Sequence, residues 1–163
     1  MSNFQFFNTG YEALFCGLGA AFTAQLIKVL IYIITHKKIN FKIFTTTGGM
    51  PSSHTAGVIA LSTSVGLIEG FSSIAFAISI GFSLVVMQDA SGIRRAAGKT
   101  AATLNRLVDE FFSRNHEVKP YEVLKELLGH TPLEVFCGML LGMVIPFIVH
   151  YYSFLKVSLQ HLG

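Results

Sequence analysis

The chain has 163 residues, 52% of them hydrophobic and 13% charged, with a formal net charge of +3. Soluble domains carry about 25% charged residues, so this balance excludes an ordinary water-soluble enzyme and points to a bilayer. The length suits one domain over 1–163, and the small net charge gives no reason to expect a nucleic-acid partner.

The N-terminus, MSNFQFFNTGYEA, has no basic n-region and no clear cleavage site. It reads as a retained, Phe-rich interfacial segment rather than a signal peptide. Four apolar segments follow, at about Tyr11–Thr35, His54–Glu69, Phe71–Gln88 and Val135–Leu155. A spanning helix needs roughly 20 apolar residues, within about 17 to 25. The first and fourth segments meet this comfortably. The second and third are short, and only Glu69-Gly70 separates them, which predicts a tight helical hairpin.

Basic residues set the orientation. Lys37, Lys38 and Lys42 follow the first segment, and Arg94, Arg95, Lys99, Arg106, Arg114, Lys119 and Lys125 follow the third. The turn between the second and third carries none. The positive-inside rule makes the two basic loops cytosolic. Between Asp89 and His130, Leu104, Leu107, Val108, Phe111 and Phe112 recur at helical spacing opposite Arg106, Asp109 and Glu110. This predicts an amphipathic cytosolic helix, and Val123, Leu124, Leu127 and Leu128 predict a shorter one. The expected fold is an all-α polytopic membrane bundle of about four transmembrane helices plus cytosolic amphipathic helices. Gly17, Gly19, Ala20, Ala21, Ala24, Gly138 and Gly142 read as helix-packing positions.

Three polar clusters fall on the predicted cytosolic face. Gly48-Gly49-Met50-Pro51-Ser52-Ser53-His54 opens the second segment, Asp89-Ala90-Ser91-Gly92-Ile93-Arg94-Arg95 closes the third, and Gly129-His130-Thr131-Pro132-Leu133-Glu134 opens the fourth. Each has a plain structural reading. Ser52 or Ser53 can cap a helix. Thr131-x-x-Glu134, with Pro132 at the first helical position, is a capping box. Arg94 and Arg95 can mark topology beside lipid head groups.

Together the clusters suggest phosphate chemistry. Helix N-termini attract phosphate, and guanidinium groups bind it bidentately. One histidine can attack phosphorus while another protonates the leaving alkoxide. A carboxylate fixes the tautomer of the attacking ring.

Lys28 lies about 12 Å of helix rise below His36. It either snorkels to the surface or reaches a phosphate from within the membrane. Ala97-Gly98-Lys99-Thr100 is not a P-loop, because position 93 is Ile where that motif needs Gly. Cys16 and Cys137 read as buried hydrophobes and not as a disulfide. No metal-ligand spacing is present, so no metal or cofactor is expected.

On these residues the chain resembles the divergent small-membrane-protein branch of the type 2 phosphatidic acid phosphatase and vanadium haloperoxidase superfamily. GGMPSSHTA at Gly48–Ala56 resembles the branch's second motif, DASGIRRAAGKTAATLN at Asp89–Asn105 looks like its hallmark, and GHTPLEVFCGMLLG at Gly129–Gly142 resembles the third motif. The resemblance covers about Gln25 to Gly142. It implies His130 as nucleophile, Glu134 as its carboxylate partner and His54 as leaving-group acid. Ser52 and Ser53 would join the phosphate pocket, with Arg94, Arg95 and Lys28 as further phosphate ligands.

The implied reaction is metal-independent hydrolysis of a membrane lipid phosphate or prenyl pyrophosphate through a phosphohistidine, with membrane lipids as the surroundings. The chain also departs from the superfamily pattern. Thr35 stands seven places after Lys28, where that pattern has Arg. Leu124 stands six places before His130, and Glu replaces the usual Asp at 134. These departures keep a second expectation open: an inert relative that binds anionic lipid head groups or a membrane partner. The sequence leaves oligomeric state open.

Overall fold

A computed structural model describes residues 6–37, 49–115 and 129–160, with side chains omitted at 113–115 and 156–160. The described chain is helical throughout, with no strand: α1 (Gly10–His36), α2 (Ser53–Glu69), α3 (Ile74–Gln88), a π-helical turn at Asp89–Ile93, α4 (Arg94–Asn115) and α5 (Pro132–Gln160).

Thr9 starts α1. Its hydroxyl accepts the Tyr11 N–H at 3.3 Å, covering a donor that no helical carbonyl can reach. At the other end Lys37 turns left-handed, φ 51°, and returns its N–H to the Ile33 carbonyl. Between these caps one stripe of α1 is buried: Ala13, Cys16, Gly17, Ala20, Ala24 and Lys28. The opposite stripe, Leu14, Leu18, Phe22, Leu26 and Leu30, is exposed. Large residues outside and small ones inside is the pattern of a helix whose solvent is hydrocarbon, since lipid tails reward close backbone approach and not burial of leucine.

The short α2 is the axis of the bundle and touches α1, α3 and α5. Its buried residues are nearly all small or hydroxylic: Ser53, Thr55, Ala56, Ile59, Ala60, Ser62, Thr63, Ser64 and Gly66. The core is an alanine cluster, Ala20 and Ala24 of α1 against Ala56 and Ala60 of α2, flanked by Leu141 and Ile145 of α5. Gly138 and Gly142 of α5 lie against the Ser52 and Ala56 carbonyls with no room for a Cβ. Gly17 meets Gly57 across the α1–α2 seam less closely, where a Cβ would be tight at 3.1 Å from the Gly57 carbonyl oxygen. Of the expected packing glycines, Gly19 is the exception, with open space beside it.

The α2–α3 hairpin forms as expected. Gly70 takes φ 91° after Glu69, and the Ser73 hydroxyl caps α3 by accepting the Phe76 N–H at 3.1 Å. Midway along the pair the Ser62 and Ser83 hydroxyls meet at 2.7 Å, and Ser83 also reaches the Val58 carbonyl at 3.0 Å. In hydrocarbon such hydroxyls need partners, so they hold two helices at one register.

After Gln88 the expected amphipathic helix is present as α4 and follows α3 through the π turn without a break. α3, the π turn and α4 form one continuous rod, long and apolar enough to cross a membrane over Ile74–Phe112. Gly10–His36 and Pro132–Leu155 also qualify. α2, with 17 residues, sits at the lower limit of a crossing helix. The amphipathic pattern itself is present in α4. Leu104, Leu107 and Phe111 are exposed along one side, and Arg106 pairs with Glu110 at 3.2 Å. The shorter helix expected at 123–128 lies outside the described residues. The chain is an all-α integral membrane protein.

Candidate active site

His130 stands two residues before the start of α5. The His130 Nδ1 lies 2.9 Å from Glu134 Oε2. The same carboxylate oxygen accepts the Thr131 N–H at 3.2 Å, and the Thr131 hydroxyl accepts the Glu134 N–H at 3.3 Å. The capping box is therefore real, and Glu134 serves two purposes. It closes the first turn of α5 and it orients the imidazole. A carboxylate on Nδ1 favours the Nδ1–H tautomer and leaves Nε2 with its lone pair. His130 is 3% exposed, and Nε2 is buried with no hydrogen-bond partner among the described residues. A buried polar atom without a partner is uncommon and calls for an explanation.

Backbone hydrogen bonds bring the three sequence clusters together. The His130 N–H donates to the Ala90 carbonyl in the π turn at 3.0 Å. The Ser52 N–H donates to the Glu134 carbonyl, also at 3.0 Å. Gly129 backs directly on the Arg94–Arg95 backbone with no space for a Cβ. The start of α2, the end of α3 and the start of α5 are thus tied at one end of the bundle. The π turn belongs to this junction, and such wide turns are common at functional sites.

Lys28 approaches from α1. It is 5% exposed, and its methylenes lie against Gly49, whose φ is +94°. Lys28 and Glu134 interact electrostatically. His54, in the first turn of α2, feels the charges of Arg94, His130, Lys28 and Asp89 together. Its ring is exposed and lines an open groove between α1 and α2.

The remaining expected residues are placed less centrally. The Ser52 hydroxyl is fully buried and caps α2, accepting the Thr55 N–H at 3.4 Å and the Thr55 hydroxyl at 3.1 Å. Ser53 is buried and lines the groove beside His54. Arg94 is held by Asp89 at 2.7 Å, with its side chain 56% exposed. Arg95 is half-buried on the next position of α4. Leu124 and Lys125 lie outside the described residues.

A family model described as the divergent PAP2 family matches residues 10–145. The chain belongs to the divergent PAP2 family. That match spans all three clusters and the helices that carry them. A Bacillus subtilis (strain 168) protein, "Uncharacterized membrane protein YuiD", is 43% identical over 148 residues, covering 85% of this chain and 94% of the relative. No solved structure matches.

Sequence reading missed several members of this divergent PAP2 site. Asp89 was noted only as part of a polar run, yet it holds Arg94. The Ala90 carbonyl and the Thr55 hydroxyl carry no motif signal, because each acts through a backbone conformation or a neighbour's cap. Among the described residues no three of His, Cys, Asp and Glu gather into a metal-binding group.

Proposed function

We propose that the chain is a phosphatase acting on a lipid phosphate or prenyl pyrophosphate through a phosphohistidine. The observation that carries this reading is His130: one ring nitrogen is bound to Glu134 and the other is buried and unpartnered. An imidazole prepared in this way is a nucleophile. Its Nε2 attacks phosphorus, and the P–O bond to the leaving group breaks. His54 gives its proton to the departing oxygen. Water then attacks the phosphohistidine, His54 takes that water's proton, and inorganic phosphate leaves.

Lys28 and Arg94 supply positive charge for the phosphoryl oxygens, and Glu134 stabilises the imidazolium that forms. No step draws on a metal ion. The basic residues flanking this end of the bundle support a cytosolic face under the positive-inside rule, which would give it access to lipids of the inner leaflet.

The test is hydrolysis by purified protein in detergent. Phosphatidic acid or a prenyl pyrophosphate is cleaved with EDTA present, and vanadate inhibits. Full activity in His130→Ala would end the mechanism.

One observation favours a second reading, an inert relative that binds anionic head groups. Arg94 is engaged with Asp89 and exposed, so the arginine side of the pocket is not closed around His130. That reading gives binding without turnover. Calorimetry with phosphatidic acid vesicles beside a single-turnover assay separates the two.

A further inference from the structure

A groove of about 500 Å³ runs between α1 and α2. Its upper end is polar, formed by Gln25, Ser53 and His54, and its remaining walls include Leu14, Leu18, Phe22, Val58 and Leu61. The floor has a physical origin. Gly17, Ala21 and Gly57 bring the two helices close enough that a Cβ on Gly17 would lie 3.1 Å from the Gly57 carbonyl oxygen. Large side chains then stand on either side of the seam and leave a trough between them. From Gln25 to Leu14 the trough follows about 16 Å of helix.

We infer that this groove holds one hydrocarbon chain of the substrate, with its phosphate head at His54 and His130. The inference rests on the phosphatase reading above and deepens it by naming where the apolar part of the substrate lies.

Three observations favour this occupant. The groove adjoins the candidate site: Ser53 and His54, which line it, follow directly on Ser52, whose N–H is bound to the Glu134 carbonyl. Its polarity is graded in the same sense as a lipid, with a polar head end and an apolar body. Its length, about 16 Å, matches about half of a 30 Å hydrocarbon core, which is the depth one leaflet offers to a tail. α2 begins beside the site at Ser53 and runs to Glu69, so a chain lying along it extends away from the phosphate head and along the apolar walls of the bundle. A lipid of the same leaflet enters head-level with His54 and slides sideways into the trough without turning over. Leu18 and Phe22, both exposed, form the outer lip.

The experiment has two arms. In the first, His130→Ala protein in detergent is incubated with a phosphatidic acid carrying a diazirine midway along one acyl chain, irradiated, and mapped by mass spectrometry. Labels on α1 and α2 at Leu14, Leu18, Val58 or Leu61 support the inference. Labels confined to α3 or α5 overturn it. This arm does not require turnover, so it stands even if hydrolysis is never seen.

In the second arm, Leu18→Trp narrows the lip at an exposed position and leaves the helix seam alone. Its kcat/KM for a long-chain phosphate falls tenfold or more, while its rate on a short, soluble phosphate ester stays within twofold of the parent. Equal rates on both substrates, or an equal loss on both, overturn the groove assignment and leave the His130 mechanism untouched. Loss of all activity in the parent protein, with the label still in the groove, instead marks failure of the phosphatase reading alone.

Discussion

His130 and Glu134 stand one helical turn apart, 2.9 Å between Nδ1 and Oε2, and the carboxylate that orients the ring also caps the helix on which it sits. Orientation and helix start are therefore one structural event. Glu134→Gln separates the two roles. The amide oxygen still accepts from Thr131 and preserves the turn, but the negative charge opposite the developing imidazolium is gone. The expected outcome is a folded protein with kcat reduced by about 10²- to 10⁴-fold, the range typical of positioned acid–base groups. Circular dichroism checks the fold and single-turnover kinetics the rate. A Glu134→Gln enzyme at parental rate would remove the carboxylate from the mechanism.

Lys28 is buried near the middle of a membrane helix and within electrostatic reach of Glu134. A charge so placed is expensive, and an anion arriving at His130 would offset that cost. Lys28→Met keeps the length of the side chain and removes the charge. Phosphate and vanadate inhibition should weaken about 10- to 100-fold, as follows from losing a charge-assisted hydrogen bond of about 1.5–3 kcal/mol. Thermal stability in detergent should be unchanged or higher, because the isosteric apolar residue removes a buried charge. Unchanged inhibition constants would assign Lys28 to the surface role that a snorkelling lysine has.

To serve as a phosphate ligand, as proposed, Arg94 would have to leave Asp89. Their ion pair at 2.7 Å is substantially exposed on the arginine side, and exposed pairs are worth little, so the exchange is cheap. Asp89→Asn releases the guanidinium and should tighten vanadate binding, whereas Arg94→Ala should loosen it. Both effects should shrink with added salt. If the two variants shift affinity in the same direction, Arg94 is not a phosphate ligand and the pair is a structural clasp on the π turn.

The sequence made the pieces of this candidate site visible because both histidines sit at a helix start beside a cap. Pro51-Ser52-Ser53-His54 and His130-Thr131-Pro132-x-Glu134 are local patterns with local physical causes. The four apolar runs were equally visible, since a bilayer writes its thickness into segment length. What stayed hidden acts across the fold. The π turn at Asp89–Ile93 is tied to the residues just before α5 by the His130–Ala90 backbone bond. The Ser62–Ser83 contact depends on helix register. The pairing of His150 with Glu12 joins positions 138 apart, and no spacing rule couples residues so distant. The α4 helix was legible by its period but not by its continuity with α3, because Ser91-Gly92 resembles a break as much as a wide turn.

Gly138 tests the junction directly. A Cβ there would press into the Ser52 carbonyl oxygen and approach the Thr55 side chain. Backbone cannot step aside as a flexible side chain does. Gly138→Ala should destabilise the protein by about 1–3 kcal/mol, the usual scale of overpacking, seen as a lower unfolding midpoint in detergent. It should also cut activity more than stability alone explains, because the Ser52–Glu134 backbone bond is displaced with it. Gly19→Ala is the control: nothing lies within 4 Å of that position, and its midpoint should stay at the parental value. Equal behaviour of the two would mean that α5 does not approach α2 as closely as described.

At the opposite end of the bundle, Glu12 is 0% exposed and accepts two hydrogen bonds, from the Asn8 N–H at 2.7 Å and from His150 Nδ1 at 3.3 Å. This contact fastens α1 to α5. Because the pair is remote from His130, it should govern stability without touching chemistry. Glu12→Ala removes both hydrogen bonds, from the exposed Asn8 N–H and the half-buried His150 ring, which at about 0.5–1.5 kcal/mol for each bond costs about 1–3 kcal/mol. The double variant Glu12→Leu/His150→Leu removes both sides and should recover much of that loss, since a matched apolar pair is often neutral in such places. Unfolding midpoints in detergent measure the first effect, and the double-mutant cycle measures the coupling. The folded fraction of every variant should bind vanadate with parental affinity. Additive losses in the cycle would show that Glu12 and His150 are buried separately and that the contact between them holds nothing together.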